Sequence, residues 1–304
     1  MNTEGTHPLM ASIVAHILNP VLSFQVKRKI HKSPDVATVR KAFGATFPNP
    51  KGARFSAATI GGIAGEWAEA TGAGTGTDKV MLYLHGGAYI ACSPRTHRPI
   101  TGGFAKRGIR VFAADYRLAP ENPFPAAVDD GLAAYQGLLD SGIAPSRLSI
   151  AGDSAGGGLA LAVLLAAKER GLPMPAKAVL FSPWTDLAGT GETLRTNADR
   201  DPMIVGSAVG QGAVIYLNGA SPTTPLASPL YGDLAGLPPM QIHVGEREVL
   251  LADSTRLVER LRAAGGRADI RIWPVVAHVF PLFNLILREG REALDQSADF
   301  IKIG

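Results

Sequence analysis

The sequence predicts an α/β protein: a mostly parallel, eight-stranded sheet with helices on both faces and a helical cap. Three observations carry this. From Val80 onward, short β-type runs alternate with helical windows, the pattern of strand–helix–strand units in a parallel sheet. One helical window, residues 155–167, is apolar nearly all round, which marks a buried helix. The first two β-type runs are joined by a short turn containing Gly61-Gly62, which makes that pair antiparallel.

The elements follow in order. Met10, Ile13 and Ile17 recur at helical spacing, on a first helix that Pro20 should end. A second helix takes Ser33 as N-cap and Pro34 as its first residue, and stops before Gly44, with Val36, Val39 and Phe43 as its apolar stripe. Neither helix has a strand beside it, so both must pack on later parts of the chain. The β-type runs are 55–59, 63–69, 80–84, 109–113, 148–151, 178–181, 241–244 and 270–273. The Gly/Thr-rich stretch 70–77 reads as a hairpin loop, because no Lys-Ser/Thr follows it as a phosphate loop requires. Between the later strands, Val128, Leu132, Tyr135 and Leu139 keep helical spacing, and a helix over 253–264 ends at Gly265. Residues 183–239 hold Pro and Gly throughout and one weak helix near 205–217. Such a long stretch reads as an excursion over an active site. The chain divides into a helical cap segment, 1–48, and a catalytic domain, 49–304, with a cap-contributing insertion within 183–239.

Composition narrows the function classes. Of 304 residues 46% are hydrophobic and 18% charged, enough to bury a large core and too apolar for disorder. The net charge of +4 is a weak field, and no basic stripe marks a nucleic-acid binder. The densest basic stretch, Lys27-Arg28-Lys29 with Lys32, reads as a solvated helix face, with membrane or nucleic-acid docking as the minor alternative. The single cysteine, Cys92, excludes an intrachain disulfide and reads as a packing residue. No signal peptide and no apolar run of spanning length are seen, so a cytoplasmic location is expected.

The chemistry centres on Gly152-Asp153-Ser154-Ala155-Gly156, a G-x-S-x-G motif between an apolar strand and the buried helix. In that strained turn the serine hydroxyl projects above the sheet, and glycines are needed two residues to either side. His85-Gly86-Gly87-Ala88 directly follows the strand 80–84. Glycines there let backbone N–H groups face a tetrahedral oxyanion, and the N–H of Ala155 adds a third donor. His85 reads as a residue that holds this loop by hydrogen bonds. Of the seven histidines only His243 and His278 follow Ser154. His243 lies within a strand, and His278 in a loop at a strand's carboxyl end, so His278 is the expected base. For the acid, Glu248 is favoured and Glu246 comes second. Asp253 reads as a helix N-cap, and Asp186 is an outside candidate.

Four stretches together resemble the hormone-sensitive-lipase-like esterases of the α/β-hydrolase fold, the bacterial family IV. They are His85-Gly86-Gly87-Ala88-Tyr89, residues 115–121 with Phe124-Pro125-Ala126-Ala127, Gly152 to Gly157, and Ala277-His278-Val279-Phe280. The resemblance covers residues 50–300, and the first fifty only as a helical cap. It implies Ser154 as nucleophile, His278 as base and Gly86, Gly87 and Ala155 as oxyanion donors. It places the acid at Glu248, where most members carry Asp. It further implies a carboxylesterase acting on short- to medium-chain acyl esters, needing no metal or organic cofactor, with no nucleic-acid partner, no stable membrane insertion and a possible homodimer. Residues 115–121 read as a turn bracing the nucleophile loop through Arg117 and Glu121. Two alternatives stay open: an amidase or lactonase on the same triad, and a non-catalytic small-molecule receptor. The plant gibberellin receptors share the motif set but lack the histidine, and His278 argues against that second reading.

Overall fold

Two strands, β1 (Ala53–Ile60) and β2 (Ile63–Ala70), form an antiparallel hairpin, and β2 pairs antiparallel with β4 (Arg110–Ala114). Everything beyond is parallel: β3 (Val80–Leu84), β5 (Leu148–Asp153), β6 (Lys177–Phe181), β7 (Met240–Gly245) and β8 (Ala268–Trp273). The order across the single sheet is β1-β2-β4-β3-β5-β6-β7-β8. The computed structural model describes residues 11–28, 35–72 and 78–303.

The central strands read as continuous apolar runs because both faces are covered. In β3, Val80, Leu82 and Leu84 join one core while Met81 and Tyr83 join the other. On the first side lie α4 (Ala126–Asp140), α5 (Ala155–Glu169) and α7 (Leu251–Ala263), through Leu132, Tyr135, Leu159 and Leu257. On the other lie α3 (Arg98–Lys106) and α8 (Arg288–Lys302), through Ile100, Phe104, Leu294 and Ala298. All of residues 155–167 are buried, as the absence of a polar face in that window requires.

Several local expectations are corrected. The stretch 70–77 does not join a hairpin, because β4 lies between β2 and β3; residues 73–77 themselves are outside the described residues. Pro20 does not end α1 (Ile13–Leu22), which runs through it into a wider helical turn, Ser23–Lys27. Tertiary anchors override the local signal: Ser12 is bonded to Glu289, the Asn19 amide donates to the Val275 carbonyl, and the Lys27 ammonium donates to the carbonyls of Ala198 and Asp201. Ile13 and Ile17 point to solvent, whereas Ala15, Asn19 and Leu22 face the body; Met10 lies outside the described residues. The N-cap of α2 (Val36–Phe43) is Asp35, whose side chain accepts from the Thr38 N–H, while Ser33 and Pro34 fall outside the described residues. The excursion 183–239 carries α6 (Gly206–Leu217) and two short helical turns, Thr193–Thr196 and Pro229–Tyr231.

Candidate active site

Ser154 sits between β5 and α5 with φ 51° and ψ −122°, outside the regions an L-residue ordinarily takes. Backbone bonds fix it there. Its N–H donates to Phe181 O at 2.9 Å, and its carbonyl accepts from Trp184 N at 2.8 Å and Gly157 N at 3.0 Å. A Cβ on Gly152 would meet the Gly156 carbonyl, and one on Gly156 would meet the carbonyls of Leu84 and His85. The two glycines are therefore steric requirements of the turn.

His278 lies in the loop after β8, and Glu248 in the loop after β7. His278 Nδ1 donates to Glu248 Oε2 at 2.6 Å, and both side chains are buried. The other carboxylate oxygen, Oε1, accepts from Ser182 Oγ at 2.8 Å and from the Gly245 N–H. Burial disfavours an imidazolium at His278, but the adjacent Glu248 carboxylate outweighs it, and the pKa is raised above the ordinary histidine value. Burial also pushes the Glu248 carboxyl up, against the pull of His278. The remaining candidates sit elsewhere. Glu246 is half-exposed and paired with Arg200 at 3.1 Å. Asp186 accepts from Arg256, Thr190 and Tyr231. Asp253 does not cap its own helix; it lies inside α7 and accepts the N–H groups of Thr185 and Asp186 at 2.8 and 2.9 Å. His243 is buried in β7, accepts from Trp273 Nε1, and is driven down to about 3 by burial.

The loop after β3 is held from behind. Asp153 Oδ1 accepts from Tyr83 Oη at 2.6 Å and from Gly86 N at 3.1 Å, and Oδ2 lies 3.2 Å from His97 Nε2. Burial works against this carboxylate's charge, but His97 and the Tyr83 hydroxyl outweigh it, and its pKa is held below the usual range. The Gly86 amide, expected at the oxyanion, is thus engaged with Asp153. Among the described residues no acceptor is found for the N–H groups of Gly87, Ala88 or Ala155. Ala88 and Tyr89 both have positive φ, and Tyr89 stacks on Tyr216 of α6 with ring centroids 3.7 Å apart. His85 is neutral, lowered to about 3 first by burial, and its Nδ1 donates to Gly86 O at 2.7 Å. Residues 115–121 do brace, but their target is this loop. Tyr116 Oη donates to His85 O at 2.6 Å and Ala119 N to Tyr89 O at 2.9 Å, while Arg117 pairs with Asp130 and Glu121 with Arg40.

Two apolar cavities meet at the serine. One, of about 70 Å³, is walled by Val39, Phe43, Trp184, Val209 and Ile215. The other, of about 90 Å³, is walled by Phe47, Cys92, His97, Met203 and Leu282. Phe43, Ala88, Ser154, Ile204 and His278 border both. Cys92 is therefore a wall residue, and burial pushes its thiol up to about 12, far from a reactive thiolate.

This geometry has known counterparts. The family described as alpha/beta hydrolase fold matches residues 81–282. An acetyl-hydrolase of Streptomyces hygroscopicus is 42% identical over 245 residues, 80% of this chain and 81% of that protein. A crystal structure of an esterase from the bacterial hormone-sensitive lipase family superposes with TM-score 0.88 at 40% identity, covering 96% of this chain and 99% of that one. The chain belongs to the hormone-sensitive-lipase-like esterases. An esterase of Acinetobacter venetianus is 36% identical to it over 84% of each chain. The crystal structure of EstE5 matches with TM-score 0.90 at 40% identity, covering 96% and 98% of the two chains.

In this esterase, several residues around the site carry no motif of their own. Asp201 accepts from Val249 N at 2.9 Å and from the amides of Met203 and Ile204, tying the excursion to the loop of Glu248. The Asn197 amide donates to the carbonyls of Glu246 and Glu248. Ser182, with φ 48°, bridges Glu248 and the Val279 N–H. Only the strand end before Ser182 is a readable signal; Asp201 and Asn197 lie in a stretch without periodicity.

Proposed function

We propose that this esterase hydrolyses short- to medium-chain acyl esters through Ser154, His278 and Glu248. The observation that carries the reading is the buried 2.6 Å contact of His278 Nδ1 with Glu248, beside cavities that His278 and Ser154 both border. With Nδ1–H held by the carboxylate, Nε2 is the free basic nitrogen. Nε2 takes the Ser154 hydroxyl proton as Oγ adds to the ester carbonyl. The carbonyl π pair moves onto oxygen, where the N–H groups of Gly87, Ala88 and Ala155 stabilise it. Collapse expels the alcohol, which takes the proton from His278. Water then attacks the acyl-enzyme by the same route, releasing the acid and restoring Ser154.

Chain length follows from the walls. Val39 and Phe43 of the N-terminal segment and Ile204 to Ile215 of the excursion close the 70 Å³ cavity, so we assign both segments as the cap. The names acetyl-hydrolase among the relatives and the soaking of EstE5 crystals with p-nitrophenyl butyrate support a short acyl group. The test is a p-nitrophenyl ester series on wild type and Ser154→Ala. The expected result is a kcat/KM maximum at short chains, with a loss of several orders of magnitude in the variant. A folded Ser154→Ala protein with near-normal turnover would sink the reading.

A further inference from the structure

The N-terminal helix has two apolar faces, and the body covers one. On the inner face Ala15, Leu18, Leu22 and Val26 pack inward, and Leu22 meets Met203 and Ala277. The outer face carries Ile13, Ile17, Val21 and Phe24, which are 78%, 63%, 43% and 67% exposed. Steps of four, four and three residues set these side chains in one stripe. Isolated exposed apolar residues need no explanation, but a contiguous stripe of four does. Arg28 continues the same row, its guanidinium 5.6 Å from the centre of the Phe24 ring.

The charges select the occupant. From Glu4 to Asp35 the sequence contains four basic residues and no intervening acid. Among the described residues Asp199 is the one acid bordering the open groove beside Pro20, Phe24 and Arg28, and Lys27 there is committed to the carbonyls of Ala198 and Asp201. A second copy of the same face would bring cation toward cation, whereas anionic headgroups supply the missing countercharge. The helix and its wider turn span Ile13–Lys27, too short to cross a bilayer, and no described helix is long and apolar enough to do so.

We propose that the outer face of this helix docks the enzyme on an anionic lipid surface. Ile13, Ile17, Val21 and Phe24 enter the headgroup–acyl boundary, and Arg28 meets the headgroup phosphates. The inner face abuts Met203, which walls the second cavity, so docking sets that wall about one helix diameter, ~10 Å, from lipid. This goes beyond the proposed ester hydrolysis and does not depend on it.

The experiment is co-sedimentation of the full chain with phosphatidylcholine vesicles, with and without phosphatidylglycerol. It compares wild type with the Ile17→Glu/Phe24→Glu double variant, using p-nitrophenyl acetate turnover in solution and circular dichroism as controls. Wild type should partition at least about tenfold better onto the anionic vesicles, less so as salt rises. The double variant should lose at least about tenfold in partitioning with its turnover unchanged. Equal partitioning onto both vesicle types, or a double variant that binds like wild type, overturns the proposal. So does a wild-type dimer that the double variant splits in the absence of vesicle binding, which would assign the face to a second copy.

Discussion

Glu248 Oε2 lies 2.6 Å from His278 Nδ1, while Glu246, two residues earlier, is half-exposed and paired with Arg200. The two carboxylates share one loop and differ entirely in what they can do. In the proposed triad, removal of Glu248 costs the imidazole its tautomer control and costs the imidazolium formed in the transition state its countercharge. Glu248→Ala should therefore lower kcat by roughly a thousandfold or more, short of the loss at Ser154→Ala. Glu246→Ala removes an exposed ion pair and should leave kcat within about twofold. Parallel kcat values for the three variants check this, and a dead Glu246→Ala beside a healthy Glu248→Ala would overturn it.

The same contact sets a pH dependence. As the proposed base, His278 works when neutral, so kcat/KM should fall as pH drops through its pKa, which lies above the ordinary histidine value. Glu248 is the largest influence raising it, with Asp201 and Asp153 adding to it. Glu248→Gln keeps an oxygen near Nδ1 but removes the charge that favours the imidazolium. The acid limb of its residual activity should therefore shift to lower pH. A limb that stays in place or moves up contradicts the assignment.

Much of this was legible in the chain, and the reasons are specific. The strand Val80–Leu84 and the helix from Ala155 are buried on all sides, so composition alone betrays them. Ser154 needs glycines on both sides because the turn leaves no room for a Cβ, which is a sterically enforced pattern and hence a readable one. The outward face of α1 was not legible. Ile13 and Ile17 keep the spacing of a core stripe, and periodicity cannot say which of two apolar faces is covered. Nor was the engagement of Gly86. A backbone amide has no sequence signature, and its acceptor Asp153 reads only as the variable position of the elbow.

Asp253 shows a further limit, since a short polar residue near a helix start fits the N-cap rule. It is instead buried, takes two N–H bonds from the loop of Thr185, and is pushed by burial to about 7. A carboxyl raised in the folded state holds its proton there after the unfolded chain has lost it. Its contribution to stability therefore falls as pH rises from about 4 toward 7. Asp253→Asn should flatten that dependence in thermal melts between pH 5 and 8. Asp253→Ala strands two buried N–H groups and should lower stability by roughly 1–3 kcal/mol, with kcat little changed. A flat wild-type profile, or an Ala variant as stable as wild type, contradicts this placement.

Asp153 gives the last prediction. Its carboxylate collects the Tyr83 hydroxyl, the Gly86 amide and His97, three groups behind the loop whose next amides, Gly87 and Ala88, are proposed to meet the oxyanion. A donor matters to rate only if it is already aimed where charge will develop, since reorganising a loop during the reaction forfeits the gain. Asp153→Ala removes the acceptor and opens space where a Cβ on Gly86 would otherwise meet the carboxylate, so the loop can shift. The expected result is a kcat loss of about ten- to a hundredfold with KM changed less than about threefold, because the ground-state ester carries no oxyanion to lose. Asp153→Asn keeps an acceptor for the Gly86 N–H and should recover part of the rate. The readout is kcat and KM for p-nitrophenyl acetate on both variants. A merely structural role would instead lower thermal stability and the fraction of active protein while leaving kcat per titrated Ser154 unchanged. Titration with an organophosphate separates the two, and an unchanged kcat per labelled site would remove Asp153 from any role in aiming the oxyanion loop.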